Sequence, residues 1–137
     1  MKELMIEAKI ENLDAVLEFV GSELETAECP VKTQTQISIA VEEVFVNIAH
    51  YAYHPETGGA VIRVAAGNEI LIEFEDSGKP YNPLENKEPD ITAGAEDRKI
   101  GGLGIFMVRK IMGSVEYRRE GNKNILRLQA FLGGGGS

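Results

Sequence analysis

The chain opens with apolar residues at alternate positions: Leu4, Ile6, Ala8 and Ile10 fall on one side of the stretch LMIEAKI. Period-two alternation predicts a strand with one buried face. The period changes at Asn12. Leu13, Val16, Leu17, Val20 and Leu24 recur at helical spacing, with Asn12 placed to cap the first turn. Pro30 pushes the residue before it out of the helical region, so this helix ends near Cys29–Pro30. A second, longer helix is predicted from about Lys32 to Tyr53, with Ile37, Val41, Val44, Ile48 and Tyr51 forming its apolar stripe.

After a turn at HPETGG (54–59), the runs AVIRVAA and NEILIEFED read as two strands of a hairpin, joined at Gly67-Asn68. Residues 77–100 have no sustained periodicity and hold three of the five prolines. A loop of that length in a compact domain is uncommon and reads as a lid or binding segment. IFMVRKIM (105–112) predicts a helix stopped by Gly113, and VEYRRE and ILRLQAFL around GNKN predict a closing hairpin. Strand, two helices, two strands, lid, helix and two strands imply an α+β, two-layer sandwich. Its sheet is expected to be mixed, largely antiparallel, and covered by helices on one face.

Composition narrows the class. The 137 residues, 43% hydrophobic and 26% charged, are those of one ordinary globular domain. The last five, GGGGS (133–137), have linker composition and read as a flexible linker or expression scar, leaving 1–132 as the domain. A net charge of -8 argues against a nucleic-acid binder, which needs a basic face, and leaves room for a protein partner with a basic patch. Cys29 is the single cysteine, so an internal disulfide and a Cys-rich metal site are both excluded. MKELMIEAKI is neither a secretory signal nor a membrane span, and the expected location is the cytoplasm.

Several residues carry candidate chemistry. Glu43, Asn47, His50 and His54 share one face of the long helix. Glu43 can accept a proton and the Asn47 amide oxygen suits a hard cation such as Mg2+; the plainer reading is a solvated helix face. A zinc site on His50 and His54 is disfavoured, because Tyr51 stands where the protease pattern needs Glu and no third ligand is spaced to help. Asp76 continues the phase of Ile70, Ile72 and Phe74 and so points toward the core. A carboxylate there needs a donor, either a neighbouring amide in a tight turn or the amino group of a flat ligand such as adenine approaching past Gly78 and Pro80. Gly101, Gly102 and Gly104 lead into the third helix. A Gly-rich helix start presents free N–H groups and the positive end of the dipole, an anion site that suits phosphate.

Taken together and in order, E43-x-x-x-N47, D76-x-G78-x-P80 and G102-x-G104 resemble the N, G1 and G2 boxes of the GHKL superfamily, the ATP-binding fold of gyrase, Hsp90, histidine kinases and MutL. AVEEVFVNIAHYAY, FEDSGKPYNP and GGLGIFMVRKIM are most similar to its small branch, the anti-sigma factor serine/threonine kinases, over about residues 4–132. With no phospho-accepting histidine and dimerisation helices before the fold and no transducer domain after it, the chain is expected to belong to that branch. The resemblance implies the Bergerat, or histidine-kinase-like, ATPase fold with ATP and Mg2+ as cofactors. It makes Glu43 the general base, Asn47 the Mg2+ ligand and Asp76 the partner of the adenine amino group. Gly78 and Pro80 shape the adenine pocket, while Gly101, Gly102, Leu103 and Gly104 hold the phosphates, with Arg98 or Lys99 on the terminal phosphate. His50 has at most a supporting role. The implied activity is phosphorylation of a seryl or threonyl hydroxyl on an anti-sigma factor antagonist, with sequestration of a sigma factor and homodimerisation as further expectations. A non-catalytic ATP-dependent binding module and a slow ATPase are the alternatives.

Overall fold

In the computed structural model the described residues are 1–53, 56–82, 84 and 108–131. Five strands and two long helices make up most of them: β1 (Lys2–Glu7), α1 (Leu13–Thr26), α2 (Val31–Tyr51), β2 (Gly59–Ala66), β3 (Glu69–Asp76), β4 (Ser114–Glu120) and β5 (Lys123–Phe131). The strands form one sheet in the order β1-β2-β3-β5-β4. Every pairing is antiparallel, so among the described residues the expected mixed sheet is in fact uniform. The expected α+β architecture, with helices on one face, is otherwise the one found.

Alternation decides which side of the sheet the helices cover. Ile62 and Val64 of β2, Ile70, Ile72 and Phe74 of β3, and Leu126 and Leu128 of β5 are buried. They meet Val16, Val20 and Leu24 of α1 and Ile37, Val41, Val44 and Phe45 of α2 in one core. Burying such side chains is worth about 1.5–3 kcal/mol each, which is why the helical stripes fold onto this face. On the opposite face the strand register sets Glu3, Arg63, Glu73, Arg127 and Glu116 in one row of alternating sign. Glu73 is buried there because Arg127 donates to it at 2.6 and 2.9 Å.

Two local expectations fail. β1 ends at Glu7; Ala8 keeps its buried phase, but Ile10 turns out into a short 3-10 turn and is 44% exposed. Asn12 does not cap α1 through its side chain. Its amide instead donates back to the Glu7 carbonyl at 3.0 Å, closing the turn between strand and helix. The first helix stops before Cys29–Pro30, with Glu28 in the left-handed region at φ 61° and the Cys29 N–H bonded to the Leu24 carbonyl. This is the Schellman arrangement, in which glycine normally takes the left-handed position. Residues 108–111 are the described part of the third helix.

Candidate functional site

The site forms where α2 ends over the end of the sheet. Asn47 lies in the last two turns of α2, Asp76 is the final residue of β3, and the register places Asn124 of β5 directly opposite Asp76. A cavity between these elements is lined by Asn47, Ile48 and Tyr51 of α2, Phe74 and Asp76 of β3, Tyr81, and Tyr117, Asn124 and Leu126 of the last hairpin. Tyr51 and Tyr81 stack beside it, their ring centroids 6.1 Å apart and their planes 26° from parallel.

Asp76 is 6% exposed. Two donors meet its Oδ1, the Gly78 N–H and the Asn124 side-chain amide, each at 2.9 Å. Burial pushes its carboxyl above the usual aspartate value, a shift opposed by those two hydrogen bonds and by the charge of Arg119. The tight-turn reading of Asp76 is therefore realised, and the acid still borders a cavity. Gly78 is held by close approach: a Cβ there would lie 2.3 Å from the Ala52 carbonyl oxygen. The next residue, Lys79, donates its N–H to that same oxygen at 3.1 Å. What approaches the backbone at Gly78 is thus the end of α2, and Pro80 lies exposed beyond it.

Asn47 is the anomaly. It is 7% exposed, and among the described residues neither its amide nitrogen nor its amide oxygen has a hydrogen-bond partner. An unmet buried amide costs about 1–3 kcal/mol, so its retention beside a cavity fits a ligand-binding oxygen better than a packing role. No group of three or more His, Cys, Asp or Glu side chains that could hold a metal occurs among the described residues. A hard cation here would therefore draw on few protein oxygens and on those of its ligand, the usual situation of Mg2+ held with phosphates. The residues present fit such a group.

Glu43, one turn before Asn47, is half-buried and is not among the residues lining the cavity. Burial first, then the neighbouring Glu42, raises its carboxyl above the usual glutamate value. His50 is half-buried, with its ring 6.2 Å from that of Tyr51. The predicted contributions of His54, Arg98, Lys99, Gly101, Gly102, Leu103 and Gly104, and most of the expected 77–100 lid, lie outside the described residues.

Sequence reasoning missed Asn124, Tyr117, Tyr81 and Arg119. Asn124 accepts from the Tyr117 hydroxyl at 2.5 Å and the Tyr81 N–H at 3.3 Å, and its amide also donates to the Lys79 carbonyl at 2.9 Å. Arg119 donates to the Gly78 carbonyl at 2.9 Å. A signal was present, since Asn124 shares the phase of buried Leu126 and Leu128 and a polar residue in that phase marks a bonded site.

A carboxylate and a buried amide thus border one cavity at the end of an antiparallel sheet, under a helical layer, in an α+β domain. The family described as the histidine kinase-like ATPase domain matches residues 6–130, and the chain belongs to that family. Over 95 residues it is 25% identical to the serine/threonine-protein kinase BtrW of Bordetella bronchiseptica. That match covers 67% of this chain and 66%, just under two thirds, of BtrW. In fold it is similar to a chain of the SiaB–SiaC complex from Pseudomonas aeruginosa, with a TM-score of 0.58 and 13% identity over 93% of this chain and 88% of that one. The Acinetobacter baumannii histidine kinase AdeS superposes with a TM-score of 0.51 and 11% identity, covering 97% of this chain and 70% of that one. No helix among the described residues is long and apolar enough to cross a membrane.

Proposed function

We propose that this protein is an anti-sigma regulatory factor with Mg-ATP-dependent serine/threonine kinase activity, acting on a small antagonist protein. The observation that carries the reading is the pair formed by Asp76 and the unpartnered, buried Asn47 on one cavity. In this reading Asp76 accepts from the adenine amino group and Asn47 offers its oxygen to Mg2+. Glu43 takes the proton from the attacking hydroxyl, and its raised carboxyl pKa makes it a better base than an exposed glutamate. Bound Mg2+ supplies charge neutralisation for the transferring phosphoryl group, and the chain supplies position. The Gly101, Gly102, Leu103 and Gly104 segment, with Arg98 or Lys99, is assigned to the phosphates from the sequence resemblance.

Likeness to a named serine/threonine kinase and to a chain from a two-protein complex supports a regulator that works on a partner protein. Sequestration of a sigma factor and homodimerisation belong to the same proposal. The second likeness equally suits a module that binds its partner under ATP control without transferring phosphate. Titration calorimetry with a non-hydrolysable ATP analogue and Mg2+ comes first, on wild type and Asp76→Asn. Binding in the wild type and loss in the variant is the expected result; no binding in the wild type removes the nucleotide reading. Transfer of label from radioactive ATP to a seryl or threonyl residue of a candidate antagonist then separates kinase from binding module.

A further inference from the structure

The β2–β3 register runs as far as Ala60 opposite Asp76, so the next facing pair is Gly59 and Ser77. The Gly58 carbonyl accepts the Ala8 N–H from the β1 side at 2.8 Å. Successive carbonyls along a strand point to opposite sides, so that of Gly59 points toward β3. An uninterrupted ladder would join the Ser77 N–H to it directly. Instead the Tyr53 hydroxyl stands between them, accepting the Ser77 N–H at 2.7 Å and donating to the Gly59 carbonyl at 2.6 Å. One side-chain oxygen thus takes the place of the last rung and holds the two strand ends apart. Burial pushes the Tyr53 phenol above the ordinary tyrosine value, against the lowering effect of the Ser77 N–H, so the hydroxyl keeps its proton to donate. Packing fixes the ring, since a Cβ on Gly58 would lie 2.4 Å from it.

Tyr53 follows Ala52 in the chain, and the two residues act on the same turn. Ala52 abuts Gly78 and accepts the Lys79 N–H at 3.1 Å, while Tyr53 holds Ser77. Ala52 also lines the cavity together with Asp76. We infer that Tyr53 is a positioning residue for this cavity: its hydroxyl ends the β2–β3 ladder at Asp76 and turns the chain at Ser77, so that Gly78 and Lys79 close on the end of α2. The inference rests on the nucleotide reading of the cavity. Without the hydroxyl, the Ser77 N–H and the Gly59 carbonyl face each other as donor and acceptor. Leaving both unmet is costly, so they pair directly. The ladder then gains a rung, and the turn is drawn away from Ala52.

The test is Tyr53→Phe, which keeps the ring and removes only the oxygen. Calorimetry with a non-hydrolysable ATP analogue and Mg2+ should show affinity at least about 10-fold weaker than wild type. Amide hydrogen exchange in nucleotide-free protein, resolved by NMR, reads the ladder separately. Ser77 should stay protected, now bonded to Gly59, while Lys79 exchanges at least about 10-fold faster as its bond to Ala52 opens. A hydroxyl that merely braces the fold gives the opposite pattern, with Ser77 unprotected and Lys79 unchanged. Gly78→Ala supplies a second reading. Its Cβ collides with Ala52 only while the turn is held against α2. The affinity it costs should therefore be at least about 3-fold smaller in the Tyr53→Phe background than on its own.

A Tyr53→Phe protein that binds the analogue within about 3-fold of wild type overturns the inference. So do additive losses in the double variant, an unprotected Ser77 amide, or a Tyr53→Phe chain that fails to fold. If wild type itself binds no nucleotide, the nucleotide reading falls and takes the cavity role of Tyr53 with it. If wild type binds and Tyr53→Phe matches it, the nucleotide reading stands and only the role of Tyr53 falls.

Discussion

Gly78 and Ala52 are in such close apposition that a single added carbon at position 78 would sit 2.3 Å from the Ala52 carbonyl oxygen and 2.7 Å from its carbonyl carbon. The contact joins the end of α2, which carries Asn47, to the turn after β3, which carries Asp76. Substituting Gly78→Ala must open that junction, because the obstacle is backbone at the end of a helix and cannot swing aside. The expected loss is about 1–3 kcal/mol in denaturant unfolding, together with nucleotide affinity reduced more than stability alone would explain. Wild-type stability in Gly78→Ala would show that the end of α2 and the turn after β3 separate at little cost.

Glu28 offers a gain in stability. A side chain in the left-handed region is disfavoured by about 1–2 kcal/mol relative to a residue free of a Cβ, and the Schellman bond from Cys29 to Leu24 requires that conformation. Glu28→Gly should stabilise the fold by about 0.5–1 kcal/mol, the unfolded chain's extra freedom offsetting part of the relief. Thermal melts with binding measured in parallel would check this. Since Glu28 is exposed and far in sequence from the cavity residues, nucleotide affinity should not change.

Much of this was legible in the sequence, for reasons that particular residues make plain. The stripes Val16–Val20–Leu24 and Ile37–Val41–Val44 are legible because each helix buries a single face, and Asp76 was placed core-ward by the phase of Ile70, Ile72 and Phe74. Asn124 was not, because within GNKN a site residue and a turn residue look alike, and only the β3–β5 register sets it against Asp76. Tyr53 read as the end of a helix. Its hydroxyl in fact accepts the Ser77 N–H at 2.7 Å and donates to the Gly59 carbonyl at 2.6 Å, a tie between elements far apart in the chain. Asn12 makes no side-chain cap; its carboxamide nitrogen donates back to the Glu7 carbonyl.

Glu43 tests the chemistry separately from binding. Glu43→Gln keeps the size and hydrogen-bonding reach of the side chain but cannot take a proton. Phosphate transfer should fall by at least about 100-fold while affinity for Mg-ATP changes by less than about 3-fold, as measured by single turnover and calorimetry. In the wild type, transfer requires the ionised carboxylate, so the rate should drop as pH falls through the Glu43 pKa. Burial raises that pKa, so the drop should begin at a higher pH than for an exposed glutamate. A flat rate profile across that range would remove Glu43 from the role of base.

Asn47 sets stability against function most directly. Its amide is buried with both polar atoms unpartnered among the described residues, whereas the Val44 and Phe74 side chains that border the same cavity are apolar. Leucine is close to asparagine in shape and has no groups to desolvate. Asn47→Leu should therefore raise unfolding free energy by about 1–2 kcal/mol, an uncommon direction for a buried substitution. The same change removes the one amide oxygen offered to the cation, so nucleotide affinity should lose its Mg2+ dependence. Melting curves and calorimetry with and without Mg2+ would show both effects in one preparation. A variant that is less stable and still binds in a Mg2+-dependent way would mean that Asn47 is satisfied in solution and serves the fold alone.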